Sequence, residues 1–302
     1  MDLPASVAAI GEQLGGAGEI APDPALFHHA DVFAAERVRI FARPWSAVDH
    51  ATRLTEDGRF FRFDADSRSI IVTRDGDGRL HALRNVCIHA GYPVCDAEDG
   101  SAERLMCPYH GWEYALDGRL VEPVFSSRID PSRLRLTSYR VCIREGLFFV
   151  DTSGGPAPDD DIAGPIPAWV AAGRVTKRAR YSTTWNWKFV LDFMRRRPDL
   201  FFDELCDDTD DNLCVEFGPL SWMIARSSQA ALLRVIPRFA ERTDFQLIRI
   251  TAAGEPGNTA PAASVDPVAH ALESAGEITA ANWSSRLDQH FFAWYWPLMA
   301  TA

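Results

Sequence analysis

Lysine is almost missing from this 302-residue chain: Lys177 and Lys188 are the only two, and the rest of its 31 basic residues are arginine. Against 42 acidic residues this leaves a net charge of −11, which argues against nucleic acid or an anionic membrane surface as a partner. No basic residue precedes Arg37, so the N-terminus lacks the charged start of a signal peptide. No apolar run approaches the roughly 20 residues needed to cross a bilayer. Cysteine is sparse too, with six in the chain, and Cys95, Cys142, Cys206 and Cys214 show no disulfide-framework spacing. A reduced, cytoplasmic protein is expected. The balance of 47% hydrophobic and 24% charged residues is that of a soluble globular protein, long enough for two domains.

The two remaining cysteines stand out by their company. Cys87-Ile88-His89 is followed, after a gap, by Cys107-Pro108-Tyr109-His110. Four such donors can bind one tetrahedral zinc or a two-iron cluster. Zinc fingers keep Cys with Cys and His with His, whereas here a Cys leads and a His closes each pair. The alternation favours the cluster: Cys87 and Cys107 can serve one iron, His89 and His110 the other, as in a Rieske [2Fe–2S] centre. Cys95 lies outside both pairs and reads as a small buried residue.

The stretches Asn85-Val86-Cys87-Ile88-His89-Ala90-Gly91 and Cys107-Pro108-Tyr109-His110-Gly111-Trp112-Glu113-Tyr114 resemble the motif of Rieske non-heme iron oxygenases, the large (alpha) subunit family that includes ring-hydroxylating and choline-monooxygenase-like enzymes. Respiratory Rieske proteins carry an extra cysteine in each cluster loop and join them by a disulfide. The matching positions here are Tyr92 and Tyr109. Fewer constraints on the sulfurs imply a potential near the low end for His-ligated clusters, on the order of −150 mV. Such a potential suits oxygen activation better than quinol oxidation. Trp112 is a candidate shield for the cluster or a core aromatic.

The resemblance implies an α+β chain: a small Rieske-type β domain followed by an incomplete helix-grip (START-like) domain. Residues 1–44 form an N-terminal segment, mobile through residue 24, with a helix capped by Asp31, striped by Ala34, Val38 and Phe41 and ended by Pro44. Residues 45–152 hold the Rieske domain, with strands over 60–63, 70–73, 80–83 and 147–150 and turns at Asp75-Gly76-Asp77-Gly78 and Asp117-Gly118. Residues 153–167, with four prolines, are a linker. Residues 168–302 form the oxygenase-like domain, truncated by this reading, with strands expected over 180–185, 214–217, 232–236, 245–250 and 291–296, and a helix over 265–274.

The family pattern then breaks. The family places His-x₄-His on a helix soon after Asn-Trp-Lys, preceded by an acidic relay residue; these and a later carboxylate hold a mononuclear iron. Asn186-Trp187-Lys188 is present and 189–194 begins a helix, but Arg195-Arg196-Arg197-Pro198-Asp199 follows. Without a gap the histidine positions fall on Asp199 and Glu204, and the relay on Arg196. With a one-residue gap they fall on Pro198 and Asp203, and the relay on Arg195. After His110 the chain has only His270 and His290. A mononuclear Fe(II) of the family's kind is therefore not expected in this chain. Three adjacent arginines also repel a dication unless neutralised by carboxylates among Asp199, Asp203, Glu204, Asp207, Asp208, Asp210 and Asp211. That acidic group reads as a solvated loop or, more sharply, an all-oxygen metal site.

The resemblance thus implies an electron-transfer subunit of a Rieske-type oxygenase system. It would relay electrons to, or structurally support, a catalytic partner subunit that hydroxylates or demethylates a small organic substrate. The partners implied are a reductase or ferredoxin donor and a catalytic oxygenase subunit in a trimer-type hetero-oligomer. One alternative is a self-sufficient monooxygenase or dioxygenase with iron on carboxylates such as Asp199 and Glu204. The other is a stand-alone redox carrier or sensor.

Overall fold

In the computed structural model the residues described are 24–42, 45–122, 130–154, 164–202, 212–254, 266–275, 295 and 298–299. The chain divides into two compact units, Pro44–Arg174 and the combination of Met1–Arg43 with Val175–Ala302. The architecture is mixed α/β and rich in sheet. Among the described residues no helix is long and apolar enough to cross a membrane.

Aromatic and β-branched runs build the first unit. Strands β1 (Ser46–His50), β2 (Arg59–Ala65), β3 (Arg68–Arg74), β4 (Leu80–Arg84) and β5 (Asp99–Ser101) join β9 (Ser138–Arg144) and β10 (Leu147–Asp151) in one sheet, ordered β1-β10-β9-β4-β3-β2-β5. A second, three-stranded sheet holds β6 (Arg104–Met106), β7 (Glu113–Ala115) and β8 (Leu120–Glu122). Strand β3 is buried on both faces of the large sheet, so its centre reads as a continuous apolar run rather than an alternation. Phe61, Phe63, Ile70, Val72 and Phe148 fill one core. Phe60, Ile71 and Leu83 point the other way, into a core shared with Cys87, Cys107, Trp112 and Tyr114. The Asp-Gly-Asp-Gly turn forms as expected: Asp75 Oδ1 accepts from Asp77 N at 3.0 Å and Arg79 N at 2.9 Å.

Residues 168–172, which the sequence assigns to the following domain, pack in this unit. His50 Nε2 bonds the Val170 carbonyl at 2.8 Å. Gly146, at φ +79°, lies so close to Ala171 that a Cβ would come within 2.4 Å of its Cα. Only glycine fits both the conformation and the approach.

The second unit is a five-stranded antiparallel sheet ordered β11-β15-β14-β13-β12. Its strands are β11 (Arg174–Thr183), β12 (Leu213–Glu216), β13 (Ser221–Ala225), β14 (Gln229–Phe239) and β15 (Arg242–Thr251). Helices α1 (Ala25–His28), α2 (Ala30–Glu36), α3 (Trp187–Arg195) and α4 (Pro267–Ser274) complete it. Leu26, Val32 and Ile40 from the N-terminal helices meet Trp187, Val190 and Leu191 of α3 over Trp222, Leu233 and Phe245 of the sheet.

Sequence and structure differ at α2. His29, not Asp31, caps the helix, its Nδ1 accepting from Asp31 N at 3.3 Å. A π-helical turn at Arg37–Phe41 then shifts the phase of the buried stripe. Val32, Ala35, Ile40 and Phe41 are buried while Ala34 and Val38 face solvent. Strand β13 was not anticipated. Of the strand expected over 291–296 only Tyr295 lies within the described residues, and it is helical. Residues 1–23, expected to be mobile, lie outside them, as does the bulk of the 153–167 linker.

Candidate metal centre

The two donor pairs look unlike in sequence, Cys-x-His and Cys-x-x-His, yet their backbones are the same turn used twice. Cys87 N donates to Tyr92 O at 2.7 Å and Gly91 N donates back to Cys87 O at 2.9 Å. Cys107 N likewise donates to Trp112 O at 2.9 Å and Gly111 N to Cys107 O at 2.9 Å. Gly91 (φ +74°) and Gly111 (φ +72°) occupy the same left-handed position, which explains a glycine four residues after each cysteine. The histidines differ in offset because the turns face each other and must deliver both rings to one place.

They do so. His89 and His110 present their Nδ1 atoms 3.1 Å apart at the exposed end of the site. That is close to the separation of two ligands sharing one tetrahedral metal with bonds of about 2.0–2.1 Å. Cys87 and Cys107 are buried, and their thiols lie against each other. Burial and the neighbouring Cys87 push the Cys107 thiol up, against N–H bonds from Tyr109 and His110. As thiolates, two such adjacent buried sulfurs would need an electrophilic metal to neutralise them. Among the described residues no three His, Cys, Asp or Glu side chains converge as they would around a single ion. The donors stand as a sulfur pair and a nitrogen pair, a set that fits a two-iron cluster with one pair on each iron.

Residues around the donors fix them. Asn85 uses its whole amide: Oδ1 accepts from Val94 N (2.8 Å) and Cys95 N (2.9 Å), and Nδ2 donates to Cys95 O (2.7 Å) and Ser69 Oγ (3.1 Å). This ties the first loop to β3 and to its own return. The Tyr114 hydroxyl accepts from Ile88 N at 3.3 Å and lies 3.1 Å from Cys87 Sγ. Burial, then Cys87, pushes that phenol up, and either group of the pair can donate to the other; against a metal-bound thiolate the phenol would be the donor. Trp112 is buried and stacks flat on His89, with centroids 4.7 Å apart and planes at 7°; it is a core aromatic that covers one face of that ring. Tyr92 and Tyr109 stack at 5.2 Å. Cys95 is half-buried and packs at the margin of this core, less enclosed than expected. The sequence placed Asn85 and Tyr114 within the motif without a task for either; an Asn just before the first donor and a Tyr seven residues after the second Cys are the signals that mark them.

The other expected metal region is built differently. Asn186 caps α3, its Oδ1 accepting from Lys188 N at 3.0 Å, while Nδ2 donates to Phe27 O (2.7 Å) and Ala240 O (2.6 Å). Lys188 is fully buried, ion-paired with Glu36 and bonded to Leu26 O at 2.7 Å. Trp187 Nε1 and Tyr295 OH each donate to Glu36 at 2.7 Å. Burial pushes Lys188 down, with Glu36 opposing. Asn-Trp-Lys here ties the N-terminal helices to α3. The helix ends at Arg195, and Pro198 opens a 3₁₀ turn through Phe201. Arg195 pairs with Glu216, Arg196 with Asp192, and Arg197 with Asp199, the last through contacts of 2.8–3.1 Å. Among the described residues two of these partners, Glu216 and Asp192, lie outside the carboxylates the sequence nominated, and the third, Asp199, is one of them. Asp199 is occupied by Arg197, which holds it below the usual carboxylate range against burial. Asp203, Glu204, Asp207, Asp208, Asp210 and Asp211 lie outside the described residues, as does His290; His270 sits on α4 near Ser274.

Comparison with known proteins agrees with this geometry. The model of the Rieske [2Fe-2S] domain matches residues 44–132. The glycine betaine monooxygenase oxygenase subunit of Chromohalobacter salexigens is 29% identical over 205 residues, covering 63% of this chain and 46% of the relative. The chloroplastic choline monooxygenase of Amaranthus tricolor is 32% identical over 143 residues, covering 46% of this chain and 30% of the relative. The chain therefore spans less than half the length of these curated relatives. In fold it is similar to the quaternary ammonium Rieske monooxygenase CntA in complex with L-carnitine, with a TM-score of 0.65, 17% identity and coverage of 92% of this chain and 85% of that one. It is equally similar to naphthalene 1,2-dioxygenase from Rhodococcus sp., with a TM-score of 0.68, 16% identity and coverage of 99% and 87%. Residues 44–132 are a Rieske [2Fe–2S] domain, and the chain is homologous to Rieske oxygenase alpha subunits.

Proposed function

We propose that Cys87, His89, Cys107 and His110 hold the cluster and that this chain is the electron-transfer subunit of a Rieske oxygenase system. When bound, such a cluster supplies one-electron transfer. The residues supply the rest. Cys87 and Cys107 anchor the site in the apolar core, and Tyr114 donates to the sulfur that carries added negative charge on reduction. Trp112 keeps water from the inner face of His89. The two imidazoles stand at the surface, where a redox partner can approach.

The observation that carries the reading is a contrast of donor sets. Four Cys and His donors face one another in the Rieske domain, while the arginines of the Arg195–Asp199 segment are each held in an ion pair. The consumer of the electrons is then an iron on another chain, and the donor a separate reductase or ferredoxin. The relatives are named for glycine betaine and choline, so a small quaternary ammonium compound is the substrate class to try first. Iron on Asp199, the alternative, has against it the two-pronged hold of Arg197 on that carboxylate.

The test is oxygen uptake with reductase and glycine betaine or choline, measured for the isolated chain and after adding a homologous oxygenase subunit with an intact His-x₄-His. The expected result is no uptake alone and uptake with the added subunit. Turnover by the isolated chain would overturn the relay reading.

A further inference from the structure

We propose that the stacked Tyr92 and Tyr109 rings are a clasp that holds the two ligand loops in register, so that retention of the cluster depends on their contact. The proposal rests on the assignment of Cys87, His89, Cys107 and His110 as the cluster ligands. Each ring is rigidly connected to a donor in its own loop. The Tyr92 carbonyl accepts from Cys87 N at 2.7 Å, so this residue cannot move without the first cysteine. Tyr109 lies between Cys107 and His110, with its ring centroid 3.8 Å from that of His110. The contact at 5.2 Å and 24° therefore links the sulfur of one loop to the imidazole of the other.

Its place in the site adds to the argument. Tyr114 and Trp112 tie the loops together from the buried side, through Cys87 and His89. Tyr92 and Tyr109 are 46% and 56% exposed and do so from the solvent side. Two large aromatics held half in water contribute little to folding by burial, yet they are stacked on each other across the mouth of the site. Among the described residues neither hydroxyl has a hydrogen-bond partner that would demand tyrosine, so the ring, not the phenol, is the working part. This residue pair positions the ligands; it does not itself touch the reacting atoms.

The experiment is a double-mutant cycle on the anaerobically reconstituted full chain, following loss of the cluster's visible absorbance under a chelator and the shape of the reduced EPR signal. Tyr92→Ala and Tyr109→Ala should each speed cluster loss by roughly 2- to 12-fold, the range of a single aromatic pair. The double variant should lose it no faster than the worse single one, and Tyr92→Phe and Tyr109→Phe should behave as wild type. Additive effects of the two alanine changes, or phenylalanine variants as leaky as the alanine ones, would overturn the clasp. A wild-type chain that never gives a Rieske spectrum would instead sink the ligand assignment, and the clasp with it.

Discussion

Two regions of this chain carry recognisable motifs, and they treat their polar side chains in opposite ways. In the loops at 87–92 and 107–112, strong metal donors are brought together, and the surrounding residues spend their hydrogen bonds on fixing position. Around 186–201 every described charge is answered by another: Lys188 by Glu36, Arg196 by Asp192, Arg197 by Asp199. The first arrangement gathers donors whose chemistry is that of metal ligands, and the second pairs its described charges within the protein.

The largest effect that could break this comparison is removal of a donor. Cys107→Ser or His89→Ala should abolish the Rieske absorbance and EPR signal while leaving the far-ultraviolet circular dichroism of the protein in place. A normal spectrum from either variant would mean that the ligands lie elsewhere. Next in size is the closed network. Glu36→Gln leaves the Lys188 ammonium buried without its partner, which should destabilise the second unit by about 3–5 kcal/mol in urea unfolding. A change below about 1 kcal/mol would show that Lys188 is not held as a charge there.

These three variants also mark what is legible in the sequence. Cys87, His89, Cys107 and His110 could be read from the sequence because donor identity and spacing are local properties. The apolar runs of β2, β3 and β4 were legible for the same reason. The equivalence of the two ligand turns was not, since it lies in backbone bonds from Gly91 and Gly111 that two different His offsets conceal. Glu36 was also missed. Its partners Trp187 and Tyr295 are 151 and 259 residues away in sequence, and its place on α2 depends on a cap at His29 and a π turn that periodicity does not register. The Arg195–Arg197 run was read correctly as needing carboxylates, but Asp192 and Glu216 were chosen by the fold.

Smaller effects sharpen the contrast. Tyr114→Phe removes the donor to Cys87 Sγ, an interaction that matters most when the cluster is reduced. The midpoint potential should fall by on the order of 50 mV, the equivalent of one ordinary hydrogen bond in a one-electron couple. An unchanged potential in protein-film voltammetry would remove Tyr114 from the tuning of the site. In the second unit, burial alone would raise Asp266, but Lys177, Tyr181 and the Ala269 N–H together hold it below its ordinary value of 3.8. Because the folded-state value is the lower one, its contribution is present above about pH 4 and is lost as pH falls through the folded-state value. Acid unfolding of Asp266→Asn should lack that component, and an identical acid limb would contradict it. Smallest of all, Asp199→Asn breaks an exposed pair with Arg197 and should cost less than about 1 kcal/mol, with cluster spectrum and partner-dependent turnover intact.

The most direct test of the central claim is the stoichiometry of iron, zinc and acid-labile sulfide in the anaerobically purified chain, taken together with EPR of the reduced protein. Two irons and two sulfides per chain with a Rieske signal is the result expected from a sulfur pair facing a nitrogen pair and a second region closed by its own ions. One zinc without sulfide, or a third tightly bound iron, would contradict it.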